Sequence, residues 1–312
     1  MAPKEEELKF MNNEKLKMKN WFQLDLSFFT FNFSFKPNHS ILFNIFARMK
    51  RFANKVVWIT GASSGIGKEL AVQLAELGSK LILSARNVAE LEKLKLSLKN
   101  SSEHMVLKLD LADNGHFDDL AKTVIEKYQR IDYLFNSGGI SQRGEASKTS
   151  VEVDRRIMEV NYFGNIALTK AVLPYMQKQQ SGHIIITSSI AGKFGFYLRS
   201  AYSASKHALH GYYDSVLLEE AKNNIFVTIV CPGKINTPIS KSALTEDGKA
   251  HGVMDHNQET GMSVEECVNQ ILKATLKKKK EVLIGGKEIL AAKIKRFSPA
   301  LFWKIIKNQS PT

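Results

Sequence analysis

The stretch Thr60-Gly61-Ala62-Ser63-Ser64-Gly65-Ile66-Gly67 lies between the apolar run Val56-Val57-Trp58-Ile59 and an amphipathic stretch that begins at Lys68. Strand, glycine turn and helix follow in that order. The glycines let the backbone turn sharply and come close to a pyrophosphate, and the helix behind them aims its N–H groups and dipole at the anion. An isolated glycine triplet carries little weight, but here the motif sits in the context its chemistry requires.

Working outward from this turn, apolar runs and amphipathic stretches alternate. Strands are expected at 55–60, 80–85, 104–109, 132–136, 182–187, 225–230 and 281–284. Helices are expected at 65–77, 88–99, 116–128, 152–177 (with a kink at Pro174), 201–221 and 263–276. Leu91, Leu94 and Leu98 keep helical spacing, and Ser263-Val264-Glu265-Glu266 reads as a capping box. Leu81-Ile82-Leu83 and Ile184-Ile185-Ile186 are continuous apolar strands of the kind buried on both faces of a parallel sheet. The fold class is therefore α/β: a doubly wound, mostly parallel sheet of about seven strands with helices on both faces, Rossmann-type. Residues 233–262 are polar and aperiodic, as expected of a substrate lid.

The chain has 312 residues and a formal net charge of +13. The charge is uneven. Residues 51–269 hold 25 Lys/Arg against 24 Asp/Glu, whereas residues 270–312 hold 11 against 2. A nucleic-acid partner would call for a basic surface on the folded module, so none is expected. The basic, apolar tail at 288–312 suits a membrane surface or closure over an apolar substrate entrance. Cys231 and Cys267 have no metal-ligand or disulfide spacing, so no metal is expected and a reducing, cytoplasmic setting follows, peripheral at a membrane if the tail binds one. Cys231, at the end of an apolar strand, reads as a small buried hydrophobe.

Residues 1–48 form an irregular extension. Residues 21–46 are Phe-rich but interrupted, as in Ser27-Phe28-Phe29-Thr30-Phe31-Asn32-Phe33-Ser34-Phe35, and no uncharged apolar run reaches the ~18 residues a membrane-spanning helix needs. Two readings stand, a translation start assigned upstream of Met49 or a membrane-associating leader. On the first, a chain starting at Met49 folds and works by itself, and the domain is 49–287.

Tyr202-Ser203-Ala204-Ser205-Lys206 sets a phenol and an ammonium at i, i+4, on one helical face. A nearby cation favours the phenolate and so brings tyrosine toward useful acid/base chemistry. Thirteen residues earlier, Ser189 ends a strand, where doubly wound sheets build their sites. After the second strand the chain reads Leu83-Ser84-Ala85-Arg86-Asn87. No acid is there for a ribose 2′-hydroxyl, and Arg86 offers a fork of donors for a 2′-phosphate, with Ser63 nearby in the turn. The cofactor expected is NADP.

With these motifs in order, residues 53–285 resemble the single-domain short-chain dehydrogenase/reductases. The match comprises the glycine turn, Asn136-Ser137-Gly138-Gly139, Asn161, Ser189, Tyr202/Lys206, and Pro232-Gly233 with Thr237. Within 136–143, Gly138-Gly139 and Ser141-Gln142-Arg143 look like the member 7 subgroup of dehydrogenase/reductases. The resemblance implies roles. Tyr202 gives or takes the proton, Lys206 lowers its pKa and holds the nicotinamide ribose, and Ser189 steadies the substrate oxygen while Ser188 faces the core. Asn161 organises a water between Lys206 and solvent. Gly61, Ser63, Ser64, Gly65, Ile66, Gly67, Arg86, Asp110, Asn136, Gly138, Ile235 and Thr237 join Tyr202 and Lys206 in holding the cofactor. Asn-Ser-Gly-Gly departs from the family's usual Asn-Asn-Ala-Gly, which puts the second asparagine's structural hydrogen bonds in question. The implied enzyme is an NADP-dependent oxidoreductase acting on a ketone or secondary alcohol, with an apolar substrate walled by Phe194, Phe196, Tyr197 and the lid; Phe194 and Phe196 read equally well as core contacts. A homodimer or homotetramer through helices 152–177 and 201–221 is also implied. The other readings are a 3-oxoacyl carrier-protein reductase, a non-catalytic nucleotide sensor and a membrane-attached scaffold.

Overall fold

The computed structural model describes residues 50–309, which fall within one compact unit. The expectations for residues 1–48 lie outside the described residues. Seven strands form one fully parallel sheet: β1 (Val56–Thr60), β2 (Lys80–Ala85), β3 (Met105–Lys108), β4 (Tyr133–Asn136), β5 (Gly182–Thr187), β6 (Ile225–Pro232) and β7 (Glu281–Ile284). Their order is β3-β2-β1-β4-β5-β6-β7, so the winding direction reverses between β1 and β4. A crevice opens beyond the carboxyl ends of the strands at such a reversal.

Helices α1 (Gly65–Glu76), α2 (Val88–Ser97), α3 (Phe117–Tyr128), α4 (Val151–Met158), α5 (Gly164–Gln179) and α6 (Ser200–Glu219) alternate with the strands. They are followed by α7 (His256–Glu259), α8 (Val264–Leu276), α9 (Leu290–Phe297) and α10 (Pro299–Ile306). Two large apolar clusters form. Trp58, Ile82, Leu134, Ile184 and Ile186 belong to one, and Val57, Ile59, Leu81, Leu83, Phe135 and Ile185 to the other. Successive residues of β1, β2, β4 and β5 thus enter opposite layers, the consequence of period-two side chains buried on both faces. The buried Trp58 indole donates to Ser84 Oγ at 2.9 Å. Asn87 caps α2 and Ser263 caps α8, accepting the N–H of Glu90 and Glu266 at 3.2 Å each.

The stretch expected as one helix over 152–177 is α4, a π-helical turn at Glu159–Phe163, and α5. The irregularity falls at Asn161, and Pro174 sits inside α5. The lid 233–262 is mostly irregular, as its composition suggests. It is pinned to the segment after β4 by hydrogen bonds from Arg143 N to Leu244 O (2.8 Å) and from Leu244 N to Ser141 O (2.9 Å). The basic, apolar tail forms α9 and α10, with Pro299 at the start of the second.

Candidate active site

A cleft of about 1200 Å³ lies beyond the strand ends and is lined by Gly61, Ser63–Gly67, Arg86, Asp110, Gly138, Gly139, Ser189, Tyr202, Lys206, Ile235 and Thr237, among others. Its phosphate end is the glycine turn. Gly61 has φ +67°, and a Cβ there would come within 2.9 Å of Gly138 Cα. A Cβ on Gly67 would lie 2.3 Å from Gly61 O, so strand, turn and helix meet too closely for any side chain. Ser64, at the head of α1, makes no side-chain cap, leaving the first-turn N–H groups without a side-chain acceptor. These features fit a dinucleotide pyrophosphate. Asp110 lines the cleft and also forms a turn, its Oδ1 accepting the N–H of Ala112 at 3.0 Å.

At the other end, Ser189 follows β5, and Tyr202 and Lys206 rise from the first turns of α6. Tyr202 is buried, which raises its phenol pKa and keeps it protonated. A hydrogen bond from Ser189 and the charges of Arg199 and Arg143 pull the other way. Lys206 Nζ stands 5.7 Å from the Tyr202 ring centre and donates to Thr187 O at 2.8 Å. Burial lowers the Lys206 pKa to about 8. Ser189 Oγ accepts from Ala191 N (3.1 Å) and lies 3.4 Å from Pro232 O. Ser188 is buried, and its hydroxyl donates to Lys206 O at 3.2 Å.

Two expected site residues stand behind the cleft wall. Asn136 is buried among Thr169 Oγ1 (3.0 Å) and Tyr213 OH (3.3 Å), where it anchors α5 and α6 to β4 rather than facing a cofactor. The physical reason is strand parity: Asn136 points into the helix layer, and the cleft is met by Ser137, Gly138 and Gly139. Asn161 accepts from Ile140 N (2.8 Å) and donates to Ile140 O (2.9 Å) and Ser205 Oγ (3.0 Å). Both of its amide protons are used, so only a lone pair of Oδ1 is left for a water. Ser137 stands at the second asparagine's position: its hydroxyl pairs with Thr187 Oγ1 at 3.0 Å, and its N–H donates to Thr60 Oγ1 at 3.0 Å.

The apolar wall of the cleft comes from Ile140, Val153, Ile239 and Leu244. Phe194 and Phe196 instead pack against α9 and α10, so the core reading of these two holds. Sequence reasoning also missed Gln142. Its Oε1 accepts the N–H of Ala201 (2.9 Å) and of Tyr202 (3.2 Å), capping α6 from 59 residues away. Arg143 and Arg199 both pair with the buried carboxylate of Asp255 in the lid. Behind Lys206 lies a further polar cluster. His210, Cys231 and Glu281 have ligand-type atoms within 4.8 Å of one another, and Glu281 is paired with Lys193. Burial pushes the Cys231 thiol up to about 12, so it stays a protonated, buried sulfur.

Comparison with known proteins decides the family. The short chain dehydrogenase family model matches residues 55–248. This chain belongs to the short-chain dehydrogenase/reductase family, a family of oxidoreductases. It is 41% identical over 281 residues to Dehydrogenase/reductase SDR family member 7B of Mus musculus, covering 86% of this chain and 87% of that protein. It is 40% identical over 280 residues to Dehydrogenase/reductase SDR family protein 7-like of Drosophila melanogaster, covering 86% of each. Among solved structures, a short-chain dehydrogenase from Streptomyces avermitilis superposes with a TM-score of 0.69 at 27% identity, covering 82% of this chain and 98% of that one. The short-chain dehydrogenase/reductase motifs quoted from the sequence thus sit in a fold shared with solved members.

Proposed function

We propose that this protein is an NADP-dependent oxidoreductase that exchanges hydride between nicotinamide and a ketone or secondary alcohol, with an apolar substrate. The observation that carries the cofactor choice is the end of β2. Ala85, Arg86 and Asn87 line the cleft mouth with no acid among them, and Arg86 is exposed toward it. An exposed guanidinium suits a 2′-phosphate, which an aspartate there would repel. The nicotinamide, when bound, supplies or accepts the hydride. The protein's own residues handle the rest. Tyr202, kept protonated by burial, offers its proton to the developing alkoxide, and the Ser189 hydroxyl holds the same oxygen. Lys206 holds the ribose and, with a pKa near 8, exchanges protons close to neutrality. Ile140, Val153, Ile239 and Leu244 favour an apolar body on the substrate.

Fluorescence titration of NADPH and NADH on wild type and Arg86→Asp tests the cofactor choice, and a panel of ketosteroids, retinal, 3-ketoacyl esters and small diketones tests turnover. NADPH should bind at least ~10-fold more tightly than NADH, as one charge-assisted phosphate contact implies, and Arg86→Asp should erase or invert the ratio. Equal affinities in the wild type would remove NADP from the proposal.

A further inference from the structure

Helices α9 and α10 have two unlike sides. Inward, Phe302 and Ile306, one turn apart, close on Phe194, with Ile190, Phe196, Ala291, Ala292 and Ile294 around them. The Phe194 and Phe302 rings meet edge-on at 5.1 Å. Tyr197 OH donates to Lys307 O at 3.1 Å, and Lys295 Nζ donates to Lys193 O at 3.2 Å. The two helices therefore grip the segment 190–197 that follows Ser189.

Outward, Leu290, Phe297, Leu301, Trp303 and Ile305 are exposed, Phe297 at 82%. Thirteen large apolar side chains are exposed among the described residues, and these five fall within sixteen consecutive positions, so the clustering needs an explanation. Lys293, Arg296, Lys304 and Lys307 are exposed beside them, and residues 289–309 contain no Asp or Glu. Leu290, Lys293 and Phe297 follow at i, i+3 and i+7 along α9, and Leu301 and Ile305 at i, i+4 along α10, with Lys304 between. Each helix has eight residues, far too few to span a bilayer. Apolar side chains with a tryptophan among them and lysines that can extend to headgroups are the chemistry of a helix lying in the interface of an anionic membrane.

We propose that α9 and α10 dock on an anionic lipid surface. Leu290, Phe297, Leu301, Trp303 and Ile305 enter the headgroup–acyl boundary, and Lys293, Arg296, Lys304 and Lys307 meet the lipid phosphates and carboxylates. Because the inner side of the same helices holds 190–197, docking seats the segment that follows Ser189 against the membrane. An apolar substrate would be dissolved there; that last step rests on the function proposed above, whereas the lipid contact does not.

The test is co-sedimentation of the full chain with phosphatidylcholine vesicles, with and without phosphatidylserine. The wild type should bind the phosphatidylserine vesicles and release as salt rises. The variant Phe297→Ser/Leu301→Ser/Trp303→Ser/Ile305→Ser should lose binding at least ~10-fold. The variant Lys293→Gln/Arg296→Gln/Lys304→Gln should lose roughly fivefold per cation removed. All the altered residues are exposed, so both variants should keep the wild-type unfolding temperature and cofactor affinity, which shows that they fold. In a Trp21→Phe background Trp58 is fully buried, so quenching by brominated lipid reports Trp303. Failure of the wild type to sediment, equal binding to vesicles without phosphatidylserine, or undiminished binding by both variants would each overturn the proposal. Turnover of a water-soluble carbonyl by both variants separates this failure from failure of the enzymatic reading.

Discussion

Gln142 is buried and reaches across to α6, and Gln142→Met isolates what its amide does there. Methionine keeps the volume, so the change removes hydrogen bonds without opening a cavity. Arg199, at the head of α6, makes no side-chain cap, so Gln142 Oε1 is the acceptor seen for the N–H groups of Ala201 and Tyr202. Losing a helix cap costs about 1 kcal/mol, and each buried N–H left without a partner adds about 1–3 kcal/mol. The Nε2 contacts to Thr149 and Ser200 are long, at 3.3 Å each, and add little. A total near 3–7 kcal/mol corresponds to a fall in Tm of roughly 6–28 °C for a domain of this size. Tyr202 is one of the two residues whose N–H is freed, so its hydroxyl loses its fixed position. A misplacement of even about 1 Å costs on the order of 100-fold in rate. Gln142 does not line the cleft, so NADPH affinity should stay within about twofold. The assays are thermal unfolding, NADPH titration and steady-state turnover of whichever carbonyl the panel identifies. A Tm within ~1 °C of wild type together with unchanged kcat would refute the capping argument.

Tyr202→Phe should lower kcat by about 10²–10⁴-fold while NADPH titration changes little, because only the proton donor is removed; a near-wild-type rate would mean that another group is the acid. Asp255→Asn should destabilise the protein by about 3–5 kcal/mol, because Arg143 and Arg199 lose their shared buried carboxylate, and should move the Tyr202 limb of the pH–rate profile to lower pH. An unshifted profile would show that the arginines do not act on the phenol. His183 is buried against Thr228 Oγ1 at 2.8 Å, and burial with the charge of Lys278 holds its pKa down to about 3. Its unfolded form takes a proton near pH ~6.5, so between there and 3 the unfolded chain binds more protons and stability falls as pH drops. Unfolding temperatures measured from neutral pH downward should fall more steeply in wild type than in His183→Gln, and parallel curves would count against a neutral buried imidazole.

The sequence made the glycine turn, the seven strands and the Ser189–Tyr202–Lys206 set readable because each depends on local order. A strand's apolar run, a turn's glycines and an i, i+4 pair all lie within a few residues. The roles of Gln142, Arg143 and Asp255 could not be read, because their partners lie 59 and 112 residues away and polar loop residues carry no period. Ser141-Gln142-Arg143 drew notice only as a string resembling a subgroup, with no role attached. Asn136 shows the opposite error. The motif marks it as important, but the parity of β4 decides which way it faces, and it faces Thr169 and Tyr213. The π turn at Glu159–Phe163 coincides with the residue whose amide is drawn to Ile140, a tertiary contact that overrides the helical pattern.

The hydrogen bonds around 140–144 tie the helix that carries Tyr202 to the segment 233–262. Ile140 is held by Asn161, Gln142 caps the helix that carries Tyr202, and Arg143 reaches the lid carboxylate Asp255, which Arg199 shares at the head of the same helix. One carboxylate therefore stands against two guanidinium groups, both of which act on the phenol. In a buried setting such charges interact strongly. The segment 233–262 and the head of the helix that carries Tyr202 are therefore joined through one carboxylate. Burial is the larger influence and holds the phenol protonated, with the two arginines opposing it. Asp255 pairs with both arginines from a segment whose sequence shows neither period nor motif.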